Sequence, residues 1–110
     1  TLQSVKEQLA TGDEVLLLSD GPVAETTRAL WERFALPGRL IEVPGGPHGD
    51  WGHTPRNHAL PLARCPYVMH LDDDDRLAPG ALAAVRRAIL ADPGACFIFR
   101  MQFADGRRLW

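Results

Sequence analysis

A chain of 110 residues holds one small domain and not two. Hydrophobic residues make up 45% of it and charged residues 24%, the balance of an ordinary soluble globular protein. A net charge of −2 gives no basic surface for nucleic acid or an anionic membrane, and no apolar stretch approaches the roughly 20 residues that cross a bilayer.

In chain order, Leu2, Val5 and Leu9 recur at helical spacing and predict a first helix that Thr11-Gly12-Asp13 ends. Glu14 to Ser19 reads as a buried strand, followed by a loop at Asp20-Gly21-Pro22. Thr27, Leu30, Trp31 and Phe34 mark the inner face of a second helix, stopped by Pro37-Gly38. Arg39 to Val43 is a short strand. Pro44 to Thr54, rich in Gly, Pro and His, reads as a functional or mobile loop. Thr54-Pro55 has the pattern of an N-cap followed by proline at the first helical position. The helix it opens runs towards Ala63, and Pro61 should kink or shorten it.

Tyr67 to Leu71 is an apolar run of strand length, read as a buried strand with His70 as a hydrogen-bonded core histidine. Pro79 opens another helix with Leu82, Val85 and Ile89 inward and Arg86 and Arg87 outward, closed by Asp92-Pro93-Gly94. Residues 95 to 103 alternate, with Phe97, Phe99, Met101 and Phe103 on a core face. Ala104-Asp105-Gly106 is a hairpin turn, and a return strand begins at Arg107. Cys65 and Cys96 match no zinc or redox spacing and read as buried free thiols beside strands, in a reducing, cytoplasmic setting. Alternating helices and strands argue for a mostly parallel sheet flanked by helices. Ligands of such sheets bind beyond the carboxyl ends of the strands.

Asp20 and the run Asp72 to Asp75 both fall at carboxyl ends of predicted strands, so they converge on one cleft in this reading. In an extended segment Asp72 and Asp74 point one way and Asp73 and Asp75 the other. Two like charges about 6 Å apart repel by roughly 3 kcal/mol at an effective dielectric near 20. A divalent cation, protonation of one carboxyl or full exposure to water would compensate. Standing alone, four acids in a row read as a solvated turn; here other motifs accompany them.

Three motifs together resemble the nucleotide-sugar-binding half of inverting family-two glycosyltransferases, which have the Rossmann-like GT-A fold. Val15-Leu16-Leu17-Leu18-Ser19-Asp20-Gly21-Pro22 is similar to that family's apolar strand ending in Asp-Asp-Gly-Ser. Arg56-Asn57-His58-Ala59-Leu60, leading into Ala63-Arg64-Cys65-Pro66-Tyr67-Val68, is similar to its Arg-Asn helix before the central strand. Leu71-Asp72-Asp73-Asp74-Asp75-Arg76-Leu77-Ala78-Pro79 is close to its Leu-Asp-x-Asp-Asp-x-x-x-Pro pattern. The resemblance implies a metal-dependent, inverting glycosyltransferase that uses Mn²⁺ or Mg²⁺, a nucleoside-diphosphate sugar (a UDP-sugar first of all) and a saccharide or other acceptor. It implies Asp74 as the direct metal ligand and Asp72 as the acid on the ribose or the metal's water. Asp20 would read the nucleobase, Arg56 would lie near base and diphosphate, and Asp73 takes second rank at the donor site.

Ser19 stands where the family often has an acid. The chain also opens at the family's first helix and closes at the hairpin, so residues 1–110 are expected to be a GT-A domain truncated at both ends and inactive alone, with the general base elsewhere. Two other readings stand beside this one, a nucleotidyltransferase using the same acidic strand end and a non-catalytic nucleotide- or cation-binding module. His48, His53 and His58 lie five apart, a spacing that does not align them for a metal on a helix; as loop histidines they read as neighbours of a phosphate or acceptor. Trp51 either stacks on a sugar or base or packs the loop down.

Overall fold

A computed structural model describes residues 1–98, 102–103 and 105–107. The elements are α1 (Leu2–Lys6), β1 (Val15–Asp20), α2 (Glu25–Phe34), β2 (Gly38–Val43), α3 (His53–Ala59), a 3-10 turn (Leu60–Leu62) and α4 (Ala81–Ala91). β1 and β2 form a parallel pair in register from Val15 opposite Gly38 to Asp20 opposite Val43. The described part is thus a small α/β unit with a two-stranded parallel sheet, consistent with a Rossmann-like domain.

The crossover that parallel strands require is made through α2. It starts with Glu25, an acid that suits a helix N-terminus, and ends where Ala35 turns left-handed and returns its N–H to the Trp31 carbonyl at 3.1 Å. Leu36 then dives into the core, which Val43 and Ala59 complete. Gly38 opens β2 at φ +145, and a Cβ there would stand 1.8 Å from the Val15 carbonyl oxygen. Only a glycine lets the two strands approach at their start. α3 stops at Ala59 and tightens into the 3-10 turn that contains Pro61, whose ring nitrogen cannot donate to a continuing helix.

Several expectations give way here. Tyr67–Leu71 is not a strand: Tyr67, Val68, Met69 and His70 are exposed and faced by Leu16 and Leu18 of β1 across a cleft of about 120 Å³. Pro66 has no N–H to begin a ladder with β1. The Tyr67 hydroxyl is instead tied to the Pro93 carbonyl at 2.6 Å, beyond the end of α4. His70 is therefore no core histidine. Residues 95–98 are likewise outside any strand, with Phe97 half-buried and Phe103 exposed, while Phe99 and Met101 lie outside the described residues. The Phe103 N–H donates to the Arg107 carbonyl at 2.8 Å across Asp105 and Gly106; Ala104 of the expected turn, and the return strand after Arg107, lie outside the described residues. Cys65 is half-buried and Cys96 exposed, both as free thiols.

Arg86 faces inward, against expectation, because it pairs with Asp13 and reaches the Gln8 carbonyl at 3.4 Å. Gln8 in turn accepts from the Leu82 N–H at 3.2 Å and donates to the Ala78 carbonyl at 3.1 Å. α1 is shorter than its pattern predicts, and Gln8 just beyond it ties the chain to the start of α4. The one buried residue of α1, Ser4, accepts from the Leu77 N–H at 3.1 Å.

Candidate functional site

The chemistry-bearing residues gather at the carboxyl end of the sheet, where β1 delivers Asp20 and the loop 44–52 after β2 folds back over it. The His48 N–H donates to Asp20 Oδ2 at 2.9 Å, and the imidazole Nδ1 lies 2.5 Å from Oδ1. An ionised carboxylate only accepts, so Nδ1 carries the hydrogen. The imidazole bond first and the backbone bond second hold the Asp20 carboxyl below its ordinary value of 3.8. Gly46 makes this closure possible: a Cβ at that position would sit 2.5 Å from Asp20 Oδ1.

The same loop is pinned a second time. Thr54 donates to Asp50 Oδ2 from both its N–H, at 2.9 Å, and its hydroxyl, at 2.6 Å. The hydroxyl bond leads in lowering the Asp50 carboxyl below 3.8. Thr54 was expected to cap α3, and the roles are exchanged: Asp50 accepts, Thr54 donates from inside the helix, and Gly52 stands at the N-cap with φ +78. Asp50 Oδ1 is buried with no hydrogen-bond partner among the described residues.

Arg56 projects from α3 back toward the loop. One guanidinium nitrogen, Nη1, donates to the Trp51 carbonyl at 2.9 Å, and Nη2 pairs with Asp72 Oδ1. A cation in the first turns of a helix opposes the helix dipole; the Asp72 carboxylate and the Trp51 carbonyl offset that. The second and third sequence motifs therefore meet in one ion pair.

Asp72 to Asp75 form a turn rather than a strand end. The Asp75 N–H returns to the Asp72 carbonyl at 3.1 Å, and the Thr1 hydroxyl bonds the carbonyls of Asp73 and of Asp75, the latter at 2.6 Å. The expected alternation of faces is replaced by a loop tip at Asp73 and Asp74, both exposed, with Asp75 half-buried. Mutual repulsion among the acids is relieved by water and by Arg56. Among the described residues no three His, Cys, Asp or Glu side chains converge as a ready-made metal cage. His53 and His58 are exposed on α3.

Asp20 and Asp72 are thus linked through successive parts of one loop, by His48 at one end and by Trp51 and Arg56 at the other. Asp50 is the residue that sequence reasoning passed over, while His48, read there as a neighbour of a phosphate or acceptor, binds Asp20 instead. The signal for His48 was its place among Gly45, Gly46, Pro47 and Gly49, where little else can make side-chain bonds. A wider cleft of about 410 Å³ opens at the amino ends of the strands, lined in part by Glu14, Gly38 and Arg64. Glu14 there is taken up by Arg39 at 3.2 Å and Arg64 at 3.4 Å, so that end is a structural junction.

Comparison with curated proteins and with solved structures returns no match. Comparison with protein families does: the family model for glycosyl transferase family 2 matches residues 1–110. Glycosyl transfer between a nucleotide-sugar donor and an acceptor is the general chemistry of that group, and no helix among the described residues is long and apolar enough to cross a membrane. With the match running over every residue of the sequence, the chain belongs to glycosyl transferase family 2.

Proposed function

We propose that the chain forms the donor side of a metal-dependent, inverting glycosyltransferase that takes a UDP-sugar. Family membership supports the reaction class. The observation that carries the assignment to particular residues is the Arg56–Asp72 ion pair, which joins the α3 motif to the acidic run beside the loop that covers Asp20.

Asp20 is the acid that reads the nucleobase. Its two oxygens are occupied by two donors of His48, and a uracil edge would exchange with them. Arg56, half-buried, is placed to balance the charge of a diphosphate, with its fork already oriented by the Trp51 carbonyl. Asp72 and Asp73 border the ribose. Asp74 and Asp72 supply hard carboxylate oxygens suited to Mn²⁺ or Mg²⁺. Such ions commonly bind one or two carboxylates and take their other ligands from substrate phosphates and water, so a two-carboxylate site without a third protein ligand fits them. When bound, the cation supplies Lewis-acid stabilisation of the leaving diphosphate. The chain's own residues hold the nucleotide and orient the anomeric carbon toward the acceptor.

Calorimetric titration of UDP with and without Mn²⁺ tests the reading. The two ligands should bind synergistically, and the coupling must be reciprocal. Asp74→Asn keeps the shape and removes the charge, so the synergy should disappear, while Asp75→Asn should retain it. Full metal-dependent UDP binding by Asp74→Asn would reduce the acidic run to a solvated turn.

A further inference from the structure

Trp51 is 90% exposed, more than any other large hydrophobic side chain among the described residues. The sequence left two roles for it, stacking on a ligand or packing the loop down. Exposure at this level removes the second, since nothing among the described residues covers the indole.

Its backbone is unusual as well. Trp51 takes φ +59, one of only two non-glycine residues with positive φ among those described. The left-handed region is unfavourable for a bulky side chain, and such conformations persist only where neighbouring contacts enforce them. Those contacts are present on both sides. His48 holds the loop to Asp20, Asp50 holds it to Thr54, and the Trp51 carbonyl itself accepts from Arg56. The backbone that carries the indole is thus held at the Arg56 side of the loop, with the side chain itself exposed.

We infer that Trp51 is a stacking platform for the C–H face of a pyranose ring next to the diphosphate position. The inference rests on the donor-site reading above and extends it to the sugar. The order along the loop supplies the reason. His48 marks the end at which Asp20 reads the base, whereas Trp51 is bonded to Arg56, at the diphosphate end. The ligand portion beyond a diphosphate is a sugar. An aromatic face offers a hexose a flat, electron-rich surface against its C–H bonds, and an indole on an already fixed stretch of backbone has only its own side-chain rotations left to lose when it binds. The ring can belong to the donor's glycosyl group or to the terminal sugar of the acceptor; the chemistry is shared.

The test compares Trp51→Ala and Trp51→Phe with the parent 110-residue chain by calorimetry, using UDP, UDP-glucose, UDP-N-acetylglucosamine and cellotetraose as probes. Exposure of Trp51 means that neither change should disturb folding, which circular dichroism checks. Trp51→Ala should lose about three- to tenfold in affinity for a pyranose-bearing probe while UDP binds as before, and Trp51→Phe should recover most of it. A loss confined to the UDP-sugars assigns the donor ring and a loss confined to cellotetraose assigns the acceptor ring, both in favour of stacking. Unchanged affinities in Trp51→Ala, or an equal loss for UDP itself, would overturn the platform and leave the donor-site reading intact. A parent chain that binds none of the four probes would overturn both.

Discussion

The first 43 residues are poorer in apolar residues than the stretch from Ala63 to Ile98, and the two are held together by different forces. In the first, a backbone ladder fixes β1 against β2 over six residues of each strand, with Leu36 and Val43 sealed beneath it. In the second, single side chains do the holding: Thr1 on the acid turn, Arg56 on Asp72, Arg86 on Asp13, Tyr67 on the Pro93 carbonyl. A ladder is cooperative and tolerates the loss of any one side chain. Tethers are separate, and each can be cut without the others. The residues proposed for the donor site lie on the boundary, with Asp20 on the ladder and Asp72 to Asp74 on the tethered turn. On that proposal, a ligand bridges an acid held by the ladder and an acid run held by single side chains.

Breaking the ladder should have the largest effect. Gly38→Ala forces a Cβ into the Val15 carbonyl at a φ that L residues avoid. The cost should be about 3 kcal/mol or more, large beside a typical domain stability. Val68→Ala, on a side chain that is 49% exposed, should cost less than about 0.5 kcal/mol. Urea unfolding of the two variants measures both. Equal losses would mean that Tyr67–Leu71 is packed as a strand after all.

The same contrast explains what the sequence revealed. β1, α2 and β2 were legible because local pattern and tertiary pairing agree there: an apolar run, an amphipathic helix and a second apolar run at crossover spacing. Tyr67–Leu71 has an equally clear apolar run, yet a run of that length states only that burial would be favourable. It does not say which edge supplies the partner, and Pro66 and the Tyr67 tether favour another course. Asp20, Arg56 and Asp72 are the candidates that motif order singles out. Their partners were not legible, because a hydrogen bond from His48 to Asp20 spans 28 positions and leaves no periodic trace.

Cutting one tether should act locally. Arg56→Gln removes the charge that pairs with Asp72 and loosens the Trp51 carbonyl. Partly exposed ion pairs contribute roughly 0.2–1 kcal/mol, so the melting temperature should barely move. Amide exchange in residues 72–75 should nevertheless rise, and affinity for UDP should fall by about tenfold or more, since bonds to charged groups are worth roughly 1.5–3 kcal/mol. A large fall in melting temperature would place Arg56 within the cooperative unit and erase the distinction between ladder and tether.

The smallest expected effect lies at the boundary itself, in the closure of loop 44–52 over Asp20. Hydrogen bonds from His48 lower the Asp20 carboxyl below 3.8, and those from Thr54 do the same for Asp50. A carboxyl whose folded value is depressed contributes its stabilisation fully above the unfolded value and loses it as pH falls through the folded one. Loop closure should therefore be unaffected at neutral pH and weaken only below the ordinary carboxylate range, as protonation turns Asp20 from an acceptor of two bonds into a poorer one. The β1–β2 ladder has no titrating group in its backbone bonds and should hold through the same interval. Amide exchange at His48, followed as pH is lowered and compared with that of Leu40 in β2, separates the loop from the ladder. Asp20→Asn should make His48 exchange faster at neutral pH and flatten its acid response, without altering Leu40. Parallel loss of protection at both positions would mean that the loop and sheet open as one unit, and a nucleobase at the site proposed for it could then reach Asp20 only by disturbing the sheet.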